Sequence, residues 1–261
     1  MKITPLLSLI LIILGSIWSC TFNNVDDPKV VVSIEDEFEI QLWETLSSDQ
    51  RSLQLRTETL AEEQCLNYEI AFQVVKRSNR IRTTIDDIIE PDDCLPGNAR
   101  PTAHIDLGKV DNGLYEFEIN LKNSTIVNTG QLVVNDNSYL VEMNSTDGIT
   151  LTPNQLLRIP EGTVWGYLSA DNVENIATDF LTDLNTSENT KEFLEGNYGY
   201  FSLTGDNEIS FPIETTFQQK RTFVLDYQGE VEELETLVEQ YKVQYGELLK
   251  LQVYTWQGQI F

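Results

Sequence analysis

The chain has 261 residues, of which 42 are acidic, 17 are basic and one is histidine, giving a formal charge of -25. A surface of that sign repels nucleic acid and anionic headgroups, so no nucleic-acid partner is expected. The chain is not a disordered polyanion either, because aromatic and β-branched residues recur in short alternating runs without a low-complexity tract.

The first predicted element is a leader. Met1 and Lys2 precede an apolar stretch from Leu6 to Ile17 broken only by Ser8, Gly15 and Ser16, the pattern of a signal peptide over residues 1–19. The stretch is shorter than the roughly 20 apolar residues that span a bilayer. Its ending, Ile17-Trp18-Ser19-Cys20, resembles the bacterial lipobox, with an aliphatic residue three before the cysteine and a small residue directly before it; Trp18 departs from the small residue usual at its position. The resemblance implies that Cys20 is the acylated first residue of the mature chain, that residues 20–29 are a tether, and that the protein is an outer-membrane lipoprotein facing the periplasm or the surface. Each buried CH₂ of the acyl chains contributes about 0.8 kcal/mol, so two or more chains anchor stably. Asp26 and Asp27 resemble the acidic surface-export signal of Bacteroidota lipoproteins, although they come late for it. The competing reading is an ordinary signal peptide, or an uncleaved anchor, with a cysteine there by chance.

Residues 30–145 alternate with a period of two. FEIQLWET, SLQLRTET, NYEIAFQVV, RIRTTI, TAHIDLG, LYEFEINL and GQLVVND read as strands, and SSDQ, RSN, PDDCLPGNARP, KVDNG and KNSTIVNT read as connections. Strand following strand with no helical pattern between predicts an all-β sandwich; residues 104–134 resemble the closing strands of immunoglobulin-like and fibronectin-like modules. Within this region Cys65 and Cys94 form an even pair in an exported, disulfide-permissive setting. A hairpin centred near Ser78 brings them close, so a bridge is predicted, with two unpaired thiols as the alternative.

Residues 146–160 read as a linker, and from 161 to 261 the rhythm changes. VENIATDFLTDL places Val173, Ile176, Phe180, Leu181 and Leu184 at helical spacing, with Asp171 as the expected N-cap. EVEELETLVEQYKVQYG does the same with Val231, Leu234, Val238, Tyr241 and Tyr245, and Gly246 is a natural stop. TVWGYLS, NYGYFSL, EISFPI, RTFVLDY and LKLQVYTW are strand candidates around them. The order β-α-β-β-β-α-β predicts an α+β domain with two helices on one face of a single, mostly antiparallel sheet, resembling a ferredoxin-like fold with an additional strand.

Chemistry-bearing motifs are sparse. His104 is the lone histidine, in a predicted strand, and there is no P-loop, G-x-S-x-G or dinucleotide fingerprint; neither a metal site nor a cofactor is expected. Forty-two acids permit many carboxylate pairs without marking one, so an envelope hydrolase using such a pair stands as the alternative to a binding module. The pointed signal is aromatic. Alternation sends Trp165 and Tyr167, Tyr198 and Tyr200, and Tyr254 and Trp256 to the helix-free face, while Phe201 and Leu203 join the helix side and Gly166 and Gly199 let a helix approach. That face reads as a seam against the sandwich or a second copy, as ordinary core, or as a platform for a glycan or protein ligand. The sequence thus predicts a lipid-anchored envelope protein acting as a binding or interaction module, joined to the membrane through its anchor.

Overall fold

The computed structural model describes residues 35–122, 126–184, 192–205, 208–211 and 219–261. The leader, the lipobox and the tether lie outside these residues. The fold is mostly β with a small helical part. Ten strands hydrogen-bond in one sheet: β1 (Phe38–Thr45), β2 (Ser52–Thr59), β4 (Glu69–Arg77), β5 (Arg80–Ile89), β7 (Thr102–Gly108), β8 (Gly113–Leu121), β9 (Ile126–Val134), β10 (Ser138–Met143), β11 (Ile149–Leu151) and β12 (Gln155–Leu157). Two more strands, β3 (Glu63–Cys65) and β6 (Pro96–Ala99), pair with each other as a flap outside that sheet.

The spatial order β11-β1-β2-β7-β4-β5-β8-β9-β10-β12 curls into a half-barrel. Two junctions fix its shape. β4 and β7 share one parallel pair, Glu69 with Thr102, and then part, so the sheet folds back on itself there. At the far side, β11 and β12 are the two sheet edges, yet only Thr152, Pro153 and Asn154 separate them in the chain. Thr152 donates its amide to Ile40 on one flank, and Asn154 accepts from the amide of Val141 on the other. Strand alternation sends Ile40, Leu42, Leu53, Leu55, Ile81, Ile105, Phe117, Ile119 and Leu132 into one core inside the curl.

This differs from the sequence expectation in its connections. The two layers of the expected sandwich are one continuous sheet. Ile126–Thr129 and Pro96–Ala99, read as loops, lie in β9 and β6, and residues 146–160, read as a linker, supply both sheet edges. Three- and four-residue strands carry too little alternation to stand out from a loop.

Cys65 and Cys94 are bonded, with Cα atoms 5.3 Å apart, and clip the flap closed. Asn67 reinforces the clip: its side-chain amide donates to the Asp93 carbonyl and its side-chain oxygen accepts from the Leu95 amide. The bridge closes a loop with a sequence separation of 29, for which chain entropy gives about 3–4 kcal/mol. A Cys65→Ser, Cys94→Ser variant is expected to lose no more than that in denaturant unfolding. Amide exchange should rise first in β3 and β6, because the flap makes no ladder with the half-barrel; a uniform rise would contradict this.

The C-terminal part is built on a three-stranded antiparallel sheet ordered β17-β13-β18, with β13 (Thr163–Ser169) central, β17 (Lys220–Asp226) and β18 (Lys250–Thr255) outside. Helices α1 (Val173–Asp183) and α2 (Val231–Tyr245) cover one face. Val164, Leu168, Phe223, Leu251 and Val253 meet Val173, Ile176, Phe180, Leu234, Val238 and Tyr241 there. α2 ends where Gly246 takes φ 53°, a conformation that costs glycine little. Asn172, not Asp171, occupies the N-cap position of α1, and its side chain makes no capping bond.

Among the described residues the five expected strands do not share a single sheet. β14 (Gly196–Asn197), β15 (Ser202–Leu203) and β16 (Ile209–Ser210) make a separate small sheet. What remains among the described residues is a split β-α-β unit in which β17 and β18 flank β13, without the ferredoxin-like order. NYGYFSL is a hairpin: the Tyr198 amide donates to the Phe201 carbonyl, and Gly199, at φ 80°, donates its amide to the Asn197 side-chain oxygen. All the described residues belong to one compact unit.

Candidate functional site

The face of β13 and β18 turned away from the helices carries Trp165, Tyr167 and Tyr254, whereas Tyr198 and Tyr200, expected on the same sheet, lie in the separate small hairpin; the face is covered. Trp165 is 1 % exposed, and Tyr167 and Tyr198 are buried as well. Trp165 stacks on Tyr254 with ring centroids 5.7 Å apart and meets Tyr200 at 5.5 Å and Phe201 at 5.6 Å. Tyr200, Tyr254 and Trp256 are partly buried in the same cluster. Tyr167 stands beside its cross-strand partner Gln252, whose side-chain oxygen accepts its hydroxyl at 3.1 Å.

The cover comes from two places. The small sheet turns Tyr198, Phe201 and Leu203 onto Trp165, so Phe201 and Leu203 lie here and not under the helices. The half-barrel contributes Leu46, Leu157 and Ile159 to the same cluster. Trp43 of β1 packs on Tyr200 at 4.6 Å and also contacts the position of Gly199, which therefore faces the half-barrel and not a helix. Gly166 does lie on the helix side, but the space it leaves is taken by the ring of its cross-strand partner Phe223 and by the backbone of Gln252. The structure thus gathers five of the six predicted rings around an internal seam between the two parts of the chain, while Tyr167 is buried beside Gln252 outside that cluster.

A second feature was not marked in the sequence. Glu44, at the fourth inward position of β1, is 1 % exposed. One carboxylate oxygen accepts from the Tyr139 hydroxyl at 2.9 Å and from Arg158 Nε at 3.2 Å, and the other faces Arg51 at 3.5 Å. Burial, and then the adjacent Glu44 charge, raise the Tyr139 hydroxyl well above its ordinary pKa, so it stays a donor. Arg51 also donates to the carbonyls of Ile159 and Trp256, which ties the β1–β2 loop to the C-terminal part. Above this cluster lies an open hollow of about 710 Å³, rimmed by Asp49, Lys109, Asp111 and Asp136. The signal that could have revealed it was present: in Phe38, Ile40, Leu42, Glu44, an acid occupies an inward register.

His104 is exposed on β7, opposite Arg56 of β2. With Glu39, Gln41, Glu58 and Thr102 these residues line a small hollow of about 200 Å³. Arg56 lies over the Trp43 ring, 3.2 Å from its centroid, and burial lowers its pKa from the ordinary value. Among the described residues none makes a hydrogen bond or ion pair with the His104 side chain. Among the described residues no group of three or more His, Cys, Asp or Glu side chains is arranged to hold a metal ion, and no helix is long and apolar enough to cross a membrane.

No protein-family model, no curated protein and no solved structure matches this chain.

Proposed function

We propose that this chain is a lipid-anchored cell-envelope protein acting as an interaction module. In this reading Cys20 is the acylated anchor, the half-barrel is an immunoglobulin-like spacer, and the α+β part is fixed to it and faces a protein or glycan partner. The observation that carries the reading is the Cys65–Cys94 bridge. A bridged pair belongs to an exported chain, and it leaves Cys20, behind the apolar leader, as the one cysteine to be assigned. The buried aromatic seam adds a constraint: the rings suited to a ligand already hold the chain together, so recognition falls to other surfaces.

Expressed in a Gram-negative host, the wild-type chain should sediment with membranes, and Cys20→Ala should appear in the soluble envelope fraction. A Cys20→Ala chain that stays with the membrane while Cys65 and Cys94 remain oxidised would remove the anchor and the location built on it.

A further inference from the structure

The β4–β5 hairpin carries opposite chemistries at its two ends. At the turn, Lys76, Arg77, Arg80 and Arg82 place four of the chain's 17 basic residues within seven positions. Arg80 and Arg82 pair across the sheet with Glu116 and Glu118, and Lys76 turns its ammonium to the carbonyls of Leu107 and Lys109. Arg77 is exposed and makes no ion pair with a described residue. Exposed Val75 and Leu114 lie alongside, Leu114 at 57 %. The tip is therefore a basic, partly apolar patch on a strongly acidic molecule.

At the open end of the same hairpin stands the flap of β3 and β6. Leu66 and Leu95, each beside a bridged cysteine, are joined by the hydrogen bond from the Leu66 amide to the Leu95 carbonyl, and they are 55 % and 57 % exposed. Ile89, at the end of β5, is exposed as well. Glu62, Glu90, Asp92 and Asp93 flank this segment in the sequence and are exposed, with Arg100 the base nearby in sequence. The disulfide and the Asn67 clamp hold this excursion rigid although it adds little to the core, so the leucines are presented in a fixed geometry. Fixing a contact surface beforehand lowers the entropy lost on binding.

We infer that the two ends dock on each other between copies: the Lys76–Arg82 tip of one chain seats against the Leu66–Leu95 flap of the next. Within one chain the ends cannot meet, since the nine residues of β4 span about 30 Å at about 3.3 Å per residue. A second copy is the occupant because it carries both members of the pair, basic with exposed aliphatic side chains at one end and acidic with exposed leucines at the other. The contact uses different patches on the two partners, so it is heterologous and propagates into a row or closes into a ring. With few apolar side chains at its centre it is a weak, salt-sensitive contact. The inference rests on reading the protein as an interaction module but not on its lipid anchor.

The test is sedimentation velocity on the full chain in nonionic detergent. At low salt the weight-average mass should rise with protein concentration, and at about 0.5 M salt, where the screening length is a few ångströms, the rise should vanish. Arg77→Glu, which breaks no ion pair between described residues, should weaken association at least about tenfold, and so should Asp92→Lys with Asp93→Lys. Mixing the two variants should restore association that neither shows alone. Near-UV circular dichroism unchanged from wild type establishes that each variant is folded. A chain that stays monomeric at low salt overturns the inference, even if Arg77→Glu alters its adsorption to phosphatidylglycerol vesicles; so does association indifferent to both charge reversals. Membrane release of Cys20→Ala is read separately, so failure of the anchor and failure of the contact are distinguishable.

Discussion

Trp165→Ala is expected to destabilise the protein by about 3–5 kcal/mol, the cost of emptying a large aromatic site in a packed interior. Trp165 is the largest of the fully buried side chains, and its neighbours come from three places: Tyr254 in β18, Tyr200 and Phe201 in the small hairpin, and through the shared cluster Leu46, Leu157 and Ile159 of the half-barrel. The cavity opens where the two parts of the chain join. Chemical denaturation followed by tryptophan fluorescence and by far-UV circular dichroism should therefore give separate midpoints in the variant and coincident ones in the wild type. Trp165→Phe should cost far less. The indole Nε1 is buried with no hydrogen-bond partner, so replacing it removes an unsatisfied donor while most of the ring contact stays. If Trp165→Phe proved as damaging as Trp165→Ala, an unrecognised partner for the indole nitrogen would have to be sought.

The second large effect is expected at Glu44. Glu44→Ala leaves Arg51 and Arg158 facing each other without the carboxylate between them and removes the acceptor of the Tyr139 hydroxyl. Breaking a buried pair in this way costs about 3–5 kcal/mol when both charges are fully desolvated. The two guanidinium groups keep part of their surface in water, so about 2–4 kcal/mol is expected at neutral pH after allowing for that screening. Glu44→Gln keeps an acceptor for Tyr139 but loses the charge, and should fall between wild type and Glu44→Ala. Adding Arg158→Met to Glu44→Ala should recover part of the loss, because one stranded charge goes with it. Equal stability of the single and double variants in urea would show that the arginines find other partners.

These two residues also show what the sequence made legible. β1, β2 and β7 occupy the expected spans because eight, eight and seven residues of strict alternation leave one register that hides the apolar set. The same alternation correctly put Trp165 and Tyr254 on one face. It was silent on what lies against that face, since a covering element contributes from more than 100 residues away: Trp43 and Leu46 precede Trp165 by the length of the half-barrel. NYGYFSL failed for a local reason. A glycine at positive φ reverses the chain in the middle of a run whose composition suits a strand. Glu44 was hidden by its company, one acid among 42; its inward register set it apart, and its three partners lie in three separate segments.

The nine residues from Ile149 to Leu157 have a consequence for how this protein could change over time. A surface connection ordinarily tolerates insertions, and protein engineers cut and rejoin chains there. Here the three residues between β11 and β12 measure the span from one margin of the half-barrel to the other. A longer segment would let the two margins drift apart, and a cut would free both at once. New sequence is better accommodated at the Ser78–Asn79 turn, where the chain reverses in solvent. The stretch that looks most like slack is the one held to a fixed length.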